Sequence, residues 1–214
     1  EMCIRDRDIG AQYIVQNNKN MVSQGQYYNP LPSLYLFPRG DNFDEIRLYE
    51  RYNTNYGYME QYWPYGDASL SLQNPYWIQN RINRTSNKKR YMMNASLKWQ
   101  AADWLNVVGR VNLDNSDYRN KNEKSASTLT TFCGVSGGFE DAMRQERSLY
   151  ADFLANIDKT FGDFHLTANV GASIYHTSMD QLYIAGDLVI PNFFQINNIN
   201  FSCLLYTSDA ADDK

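Results

Sequence analysis

Few residues of this sequence have types and spacing that could support chemistry. The run Leu113–Glu123 places Asp114, Asn115 and Asp117 close together, which invites comparison with a calcium site. The run lacks the alternating carboxylates, the glycine and the terminal glutamate of an EF-hand loop, so a solvated loop is the better interpretation. The sequence contains two histidines, no phosphate-binding glycine loop and no HExxH motif. It therefore predicts no enzyme, no cofactor and no metal site.

The two ends of the sequence are unlike the part between them. One choice of codons for Cys203–Ser208 is the reverse complement of a stretch within one choice of codons for Glu1–Arg7. That DNA element resembles a transposon end used to tag DNA for sequencing. We therefore interpret residues 1–7 and 203–214 as non-native, adapter-like ends, and residues 8–202 as native. On this interpretation the chain is an internal piece of a longer protein.

The composition of the native part narrows the class of protein. The formal charge of −4 includes −2 from the last twelve residues, and the charges of the first seven residues cancel, so the native part carries −2. A nearly neutral chain argues against a nucleic-acid binder that depends on a strong positive field. One cysteine is left, Cys133, which excludes an internal disulfide. No apolar run approaches the ~20 residues of a spanning helix.

Alternation of apolar and polar residues predicts antiparallel strands, paired as β-hairpins. The predicted strands are Ile9–Val15, Tyr91–Trp99, Leu105–Leu113, Leu149–Ile157 and Phe164–Ile174. The last of these has about eleven residues, which is enough for a tilted strand to cross a bilayer. Gly162, in the turn before it, is able to take a positive φ.

Long and short connections alternate along the chain. The segments 22–89 and 115–147, and the chain after Tyr175, are long and irregular, whereas the two hairpin turns are tight. In the first long segment, a short helix is expected after a cap at Asp41 or Asn42. This alternation of long and short connections favours an all-β fold. The specific prediction is a partial antiparallel transmembrane β-barrel of about five strands, with long extracellular loops and short periplasmic turns.

Aromatic residues near the two tight turns agree with this interpretation. They are Trp99, Trp104, Phe161 and Phe164. Such a cluster is typical of the girdle at a membrane interface. A soluble β-sheet protein that uses the same rings in its core is the alternative.

Several unusual strings of aromatic residues and proline occur in order along the chain. They are NPLPSLYLFPRGDNFDEIRLYE, QYWPYGD, QNPYW and RYMMNASLKWQAADWLNVVGRVNLDN. With them, most of residues 8–202 resembles the SusC/RagA family of TonB-linked outer-membrane proteins of Bacteroidetes. The resemblance implies a large outer-membrane barrel with an N-terminal plug, and import of glycans or peptides powered through TonB. It also implies a SusD-like surface lipoprotein as partner, while the plug and the TonB-contacting region lie outside this sequence.

Two sets of residues are candidates for binding. Exposed aromatic rings stack on sugars, and the candidates in the long segment are Trp63, Tyr65, Tyr76 and Trp77; packing of the loop onto itself is the alternative role. The second set consists of polar residues expected to face a hydrated barrel lumen or its plug. It contains Asn94, Lys98, Arg110, Asn112, Asp152, Asn156 and Asn169.

Three functions are thus open from the sequence. The first is a segment of an outer-membrane importer that contacts lipids, a lipoprotein partner and a glycan or peptide, with no nucleic acid. The second is a soluble carbohydrate-binding β-sheet module, and the third is a structural or adhesive outer-membrane barrel. The face with Leu105, Val107, Val111, Leu166, Ala168, Val170 and Ala172 separates the first from the second. Lipid requires this face to be exposed, whereas a soluble fold buries it under a second layer.

Overall fold

The structure is a computed structural model that describes residues 5–200 and 206–209. Long antiparallel strands dominate it, and short helices occur in the connections. In chain order the helices and strands are β1 (Arg5–Lys19), α1 (Pro30–Tyr35), α2 (Phe43–Arg47), β2 (Glu50–Asn53), β3 (Tyr58–Gln61), α3 (Pro75–Arg81), β4 (Ile82–Ala102), β5 (Leu105–Lys124), β6 (Gly138–Phe161), β7 (Phe164–Asp187) and β8 (Tyr206–Asp209). The chain is therefore mostly antiparallel β, as the alternation predicts.

Six of the strands form one open sheet in the order β1-β4-β5-β6-β7-β8. All neighbouring strands in this sheet are antiparallel. The five strands expected from the sequence correspond to β1, β4, β5, β6 and β7. Among the described residues, none of the helices has the length and apolar character needed to span a membrane.

The strands extend well beyond the expected bounds, and the sequence interpretation is wrong there. The segment 115–147 was expected to be irregular, but β5 continues to Lys124 and β6 begins at Gly138. Likewise β4 begins at Ile82, and β7 continues past Tyr175 to Asp187. In the extensions of β4 and β5 nearly all residues on both faces of the sheet are polar, so the pairing leaves no alternating signal in the sequence. In the extension of β7 apolar residues such as Leu182 and Tyr183 fall on opposite faces, so the alternation is lost there as well.

The two hairpin turns are as tight as expected. Residues 103–104 join β4 to β5, and residues 162–163 join β6 to β7. Gly162 has a φ of 58°, a left-handed value that a residue with a Cβ adopts only at a cost. Because consecutive strands are antiparallel, the three long connections, at 20–81, 125–137 and 188–200, lie at the opposite end of the sheet.

The first long connection is folded rather than irregular. Asn42 caps α2, since its side chain accepts a hydrogen bond from the Asp44 amide, which confirms one of the two expected caps. Asn74 caps α3 in the same way, and its side-chain amide donates to the Ile46 and Tyr62 carbonyls at 2.8 and 3.0 Å. These bonds tie the two helices and the β2–β3 hairpin into one unit.

Two small apolar cores occur in the described residues, and both lie at the end of the sheet with the long connections. Trp77, Ile78 and Ile82 form the first, with Tyr28 and Tyr49 packed against it. The second joins Phe139 of β6 to two residues of the last connection, and its buried members are Phe139, Leu188 and Ile199. Apolar packing is therefore concentrated where the connections meet the sheet.

The two adapter-like ends lie partly outside the residues that the structure describes. Within 1–7, residues 5–7 continue β1, and within 203–214, residues 206–209 form β8 on the edge of β7. A free sheet edge pairs with extended backbone of almost any sequence. Their pairing therefore does not bear on their origin, and the non-native interpretation stays a prediction.

Candidate functional site

The large sheet has one polar face and one apolar face. Directly opposed residues of antiparallel strands point to the same side, and the register places Asn94 opposite Asn112, and Arg110 opposite Asp152. Asn156 is opposite Asn169. The same register puts Lys98 on this side. All seven residues expected to face a lumen therefore share one face, called the polar face below.

The other side, called the apolar face, is exposed near the tight turns. The side chains that project from it include Leu97, Val107, Val111, Phe153, Val170 and Ile174. Val170 is 61% exposed, and Phe153 is 50% exposed. In the described residues, the buried clusters that pack on the sheet lie elsewhere, so this face is not covered by a second layer.

The apolar face occupies only part of the strand length. On β7 it runs from Phe164 to Ile174, and beyond this the same face carries His176, Ser178 and Asp180. Eleven strand residues span about 33 Å, which corresponds to about 25 Å along the normal for a strand tilted by about 40°. At that assumed tilt the height of the band would match the apolar belt of an outer-membrane barrel.

The polar face carries an ion pair between β5 and β6. Arg110 Nε donates to Asp152 Oδ1 at 2.9 Å, and its Nη2 lies 2.7 Å from Asp152 Oδ2. The Tyr150 hydroxyl donates to the same carboxylate at 2.8 Å. A two-pronged contact of this kind fixes the orientation of both side chains.

Close approach of two strands positions another of the polar candidates. A Cβ at Gly10 would lie 2.3 Å from Asn94 Oδ1, so only glycine lets the Asn94 amide lie across β1. Lys98, Asn112 and Asn169 are exposed, and Asn156 is half-buried. The asparagine amides therefore offer both donors and acceptors to whatever faces this side of the sheet, and Lys98 offers donors.

Three of the four aromatic candidates belong to one cluster on the folded connection. The aromatic cluster, as we call it, consists of Phe37, Phe43, Tyr49, Trp63, Tyr65 and Tyr76. Successive ring centroids lie 5.1 Å apart for Trp63 and Tyr65, and 5.2 Å apart for Tyr65 and Phe37. The remaining spacings are 5.3, 6.3 and 6.5 Å. No member is fully buried, so the rings pack together and still leave surface to solvent.

Trp77 does not belong to this cluster, and a stacking role for it is not supported. Its side chain is 0% exposed, and its Nε1 donates to Thr128 Oγ1 at 3.1 Å. The ring fills the core beneath α3, where a large apolar side chain with one polar atom finds both packing and a partner. The alternative role, packing of the loop, applies to this residue.

Polar atoms at the edge of the aromatic cluster are held in place. Trp63 Nε1 donates to the Gly66 carbonyl at 2.6 Å. Burial, followed by a hydrogen bond to the Asp41 carboxylate, raises the pKa of Tyr65. The Tyr65 hydroxyl therefore stays protonated at neutral pH and keeps its ability to donate.

The folded connection is fastened to the sheet and to its neighbour. Arg84 of β4 donates to the Met21 and Tyr28 carbonyls at 2.5 and 3.4 Å. Gln61 donates from its backbone N to Ser127 Oγ at 3.0 Å, which links the first two long connections. The aromatic cluster thus belongs to a connection that is hydrogen-bonded both to the sheet and to the second long connection.

The two aspartates considered for calcium are used for an ion pair and for a hydrogen bond with a neutral side chain. Arg90 donates to both Asp114 oxygens, at 2.9 and 2.5 Å, and Gln145 donates to Asp117 at 2.8 Å. Among the described residues there is no group of three or more His, Cys, Asp or Glu side chains that could hold a metal ion.

Sequence reasoning missed three members of the aromatic cluster. Phe37 and Phe43 flank the turn FPRGDNF, and Tyr49 follows α2. The high density of aromatic residues in this proline-rich segment was the one sequence signal that could have pointed to them. Only the fold shows that they join Tyr65 to Tyr76, because these residues are separated along the chain.

Comparison of the chain with models of known protein families, and with curated protein sequences, gave no match.

Proposed function

We propose that this chain is part of the wall of an outer-membrane importer resembling the SusC/RagA family. The observation that carries the proposal is the uncovered apolar face on a sheet whose other face is polar; eleven strand residues give it a height of about 25 Å at the tilt of barrel strands. Lipid covers such a face at no cost in unpaired polar groups. A closed barrel made of this sheet and further strands has no free edges inside the membrane.

The arrangement of the connections supports the same function. The two tight turns lie at the end next to the apolar band, and the three long connections lie at the far end, beyond the polar extension of the strands. In the proposed barrel the turns face the periplasm, and the connections form the extracellular surface. That surface is where a SusD-like lipoprotein would meet the importer.

The substrate class follows from the resemblance and from the aromatic cluster. A glycan or a peptide presents apolar patches that stack on rings such as Trp63, Tyr65 and Tyr76. Below the aromatic cluster, the polar face of the sheet lines the lumen of the proposed barrel. Its candidate residues are Asn94, Lys98, Arg110, Asn112, Asp152, Asn156 and Asn169. Energy reaches the transporter through TonB, which contacts a region outside this sequence.

The aromatic cluster also favours a second function, a soluble carbohydrate-binding β-sheet module. Rings that are grouped on a folded connection are able to stack on sugars without a membrane as well. The uncovered apolar face argues against this function, because a soluble domain would cover it.

The DNA that surrounds the coding sequence tests the proposal. A long sequencing read is extended outward from the codons for Asp8 and Ser202. We expect an open reading frame that continues upstream into a plug and further strands, with a gene for a surface lipoprotein beside it. A barrel without a plug would favour the structural or adhesive function. A reading frame that truly starts and stops with the present ends would refute the importer and favour the soluble module.

A further inference from the structure

We propose that Lys159, at the tight-turn edge of the apolar face, binds the phosphate of an anionic glycerophospholipid. The inference rests on the proposed membrane location and adds a specific lipid contact to it. It concerns the leaflet that meets the two tight turns.

The Lys159 side chain is held between two aromatic rings. Its Nζ lies 4.5 Å from the ring centroid of Trp104 and 5.0 Å from that of Phe161. The Asp158 amide donates to the Trp104 carbonyl at 2.8 Å, which fastens the β4–β5 turn beside β6. The cage is therefore built from two separate hairpins, and the fold positions it.

The ammonium group of Lys159 has no acidic partner among the described side chains. Asp158, the adjacent residue, points to the polar face, where its Oδ1 lies 2.5 Å from His165 Nε2. Within residues 6–200 no carboxylate oxygen, including those of Asp103 and Asp163 in the two turns, lies within 4.0 Å of Lys159 Nζ. Ring contacts satisfy the charge only in part, so its N–H groups are free to donate to an anion.

The position of Lys159 identifies the anion. It lies opposite Leu166 on the apolar face, and the rings around this level are exposed, at 42% for Trp99, 51% for Phe161 and 79% for Phe164. Aromatic rings of this kind sit at the headgroup level of a bilayer. A lysine beside them meets lipid phosphates, and the stem of its side chain contacts the acyl region.

The expected effect is a preference for anionic lipid. One basic residue near an anionic membrane surface contributes about 1 kcal/mol, which is about a fivefold change in affinity. We therefore expect the complete protein to prefer phosphatidylglycerol over phosphatidylcholine by about fivefold at this site.

The test uses the complete protein, stripped of lipid in detergent and titrated with either phospholipid. Bound lipid is counted by native mass spectrometry. Lys159→Gln should abolish the preference that this site contributes, and Lys159→Arg should retain it. The matched control is Lys89→Gln, which removes an exposed lysine from the same face of the sheet above the apolar band. The control should bind lipid like the parent protein.

Either of two results with the variants would overturn the inference. One is an unchanged preference in Lys159→Gln; the other is an equal loss in Lys89→Gln, which would indicate a general charge effect. Insertion into vesicles is measured in parallel. A protein that inserts but shows no preference refutes the lipid site alone, whereas a protein that never inserts refutes the membrane location as well.

Discussion

An arginine at Val170 gives the sharpest test of whether the apolar face contacts lipid. Val170 is 61% exposed and lies opposite Ala155 near the middle of the apolar band. It is six residues beyond Phe164 on β7, which places it about 15 Å above the lower edge of the band for a strand tilted by about 40°. This depth is close to the midplane of a band about 25 Å high.

The expected loss follows from that depth. Arginine at the midplane of a lipid-facing strand costs about 2–4 kcal/mol of the free energy of unfolding, and the cost falls to about 0–1 kcal/mol near the interfaces. At an exposed site in water, the same substitution changes stability by about 0.5 kcal/mol or less. The two environments therefore differ by more than the error of an unfolding experiment.

Two controls separate lipid contact from general damage to the sheet. Asn169→Arg places the same charge one residue away on the polar face, and Asp180→Arg places it at an exposed position of β7 above the apolar band. Both are expected to cost about 1 kcal/mol or less. The assay is urea unfolding of the complete protein from lipid vesicles, followed by tryptophan fluorescence. Equal, small losses for Val170→Arg and Asn169→Arg would refute a lipid-facing role, and a large loss for Asn169→Arg alone would reverse the two faces.

Three further predictions concern the connections. Trp77→Ala should cost about 3–5 kcal/mol of local stability, because it empties the core under α3. Tyr65→Ala should instead leave the fold intact and weaken glycan or peptide binding. Limited proteolysis and a binding titration distinguish the two variants, and a Trp77→Ala protein that resists proteolysis would contradict the packing role. Gly162→Val should destabilise the β6–β7 hairpin by about 1–2 kcal/mol because φ is positive there, and Gly162→Asn by less, as measured by urea unfolding; equal stability of the two variants would contradict this reason. Burial raises the pKa of the Cys133 thiol to about 11, so its alkylation should accelerate only as the pH approaches that value, while the denatured chain reacts from about pH 8.5. The pKa of the Cys133 thiol is higher in the folded chain than in the unfolded chain. Its contribution to the free energy of unfolding is therefore complete below about pH 8.5 and is lost as the pH rises toward 11. Rapid alkylation of the folded protein at pH 8 would contradict the burial of this thiol.

The sequence by itself determined the pairing of the strands near the tight turns. In Tyr91–Trp99 and Phe164–Ile174 one face is apolar and the other polar, so each residue type reports its side of the sheet. The turn at Gly162 and the cap at Asn42 were also predictable, because each depends on the chemistry of a few adjacent residues. The seven polar residues were assigned to one face for the same local reason.

The tertiary structure alone decided where the strands end. Above the apolar band both faces of β5 are polar, as at Lys121–Lys124, and hydrogen bonds to the neighbouring strand maintain the pairing there. Such bonds depend on the backbone of another segment and leave no periodic trace in the sequence.

Tertiary structure also decided which of the aromatic candidates are buried. Trp77 and Tyr76 are adjacent in the sequence, yet one fills a core and the other joins a partly exposed cluster. The two side chains differ in burial because α3 turns successive side chains in different directions. In addition, Thr128, which belongs to the second long connection, accepts a hydrogen bond from the Trp77 N–H. Burial is a property of the segments that pack around a residue, so residue type alone could not assign it.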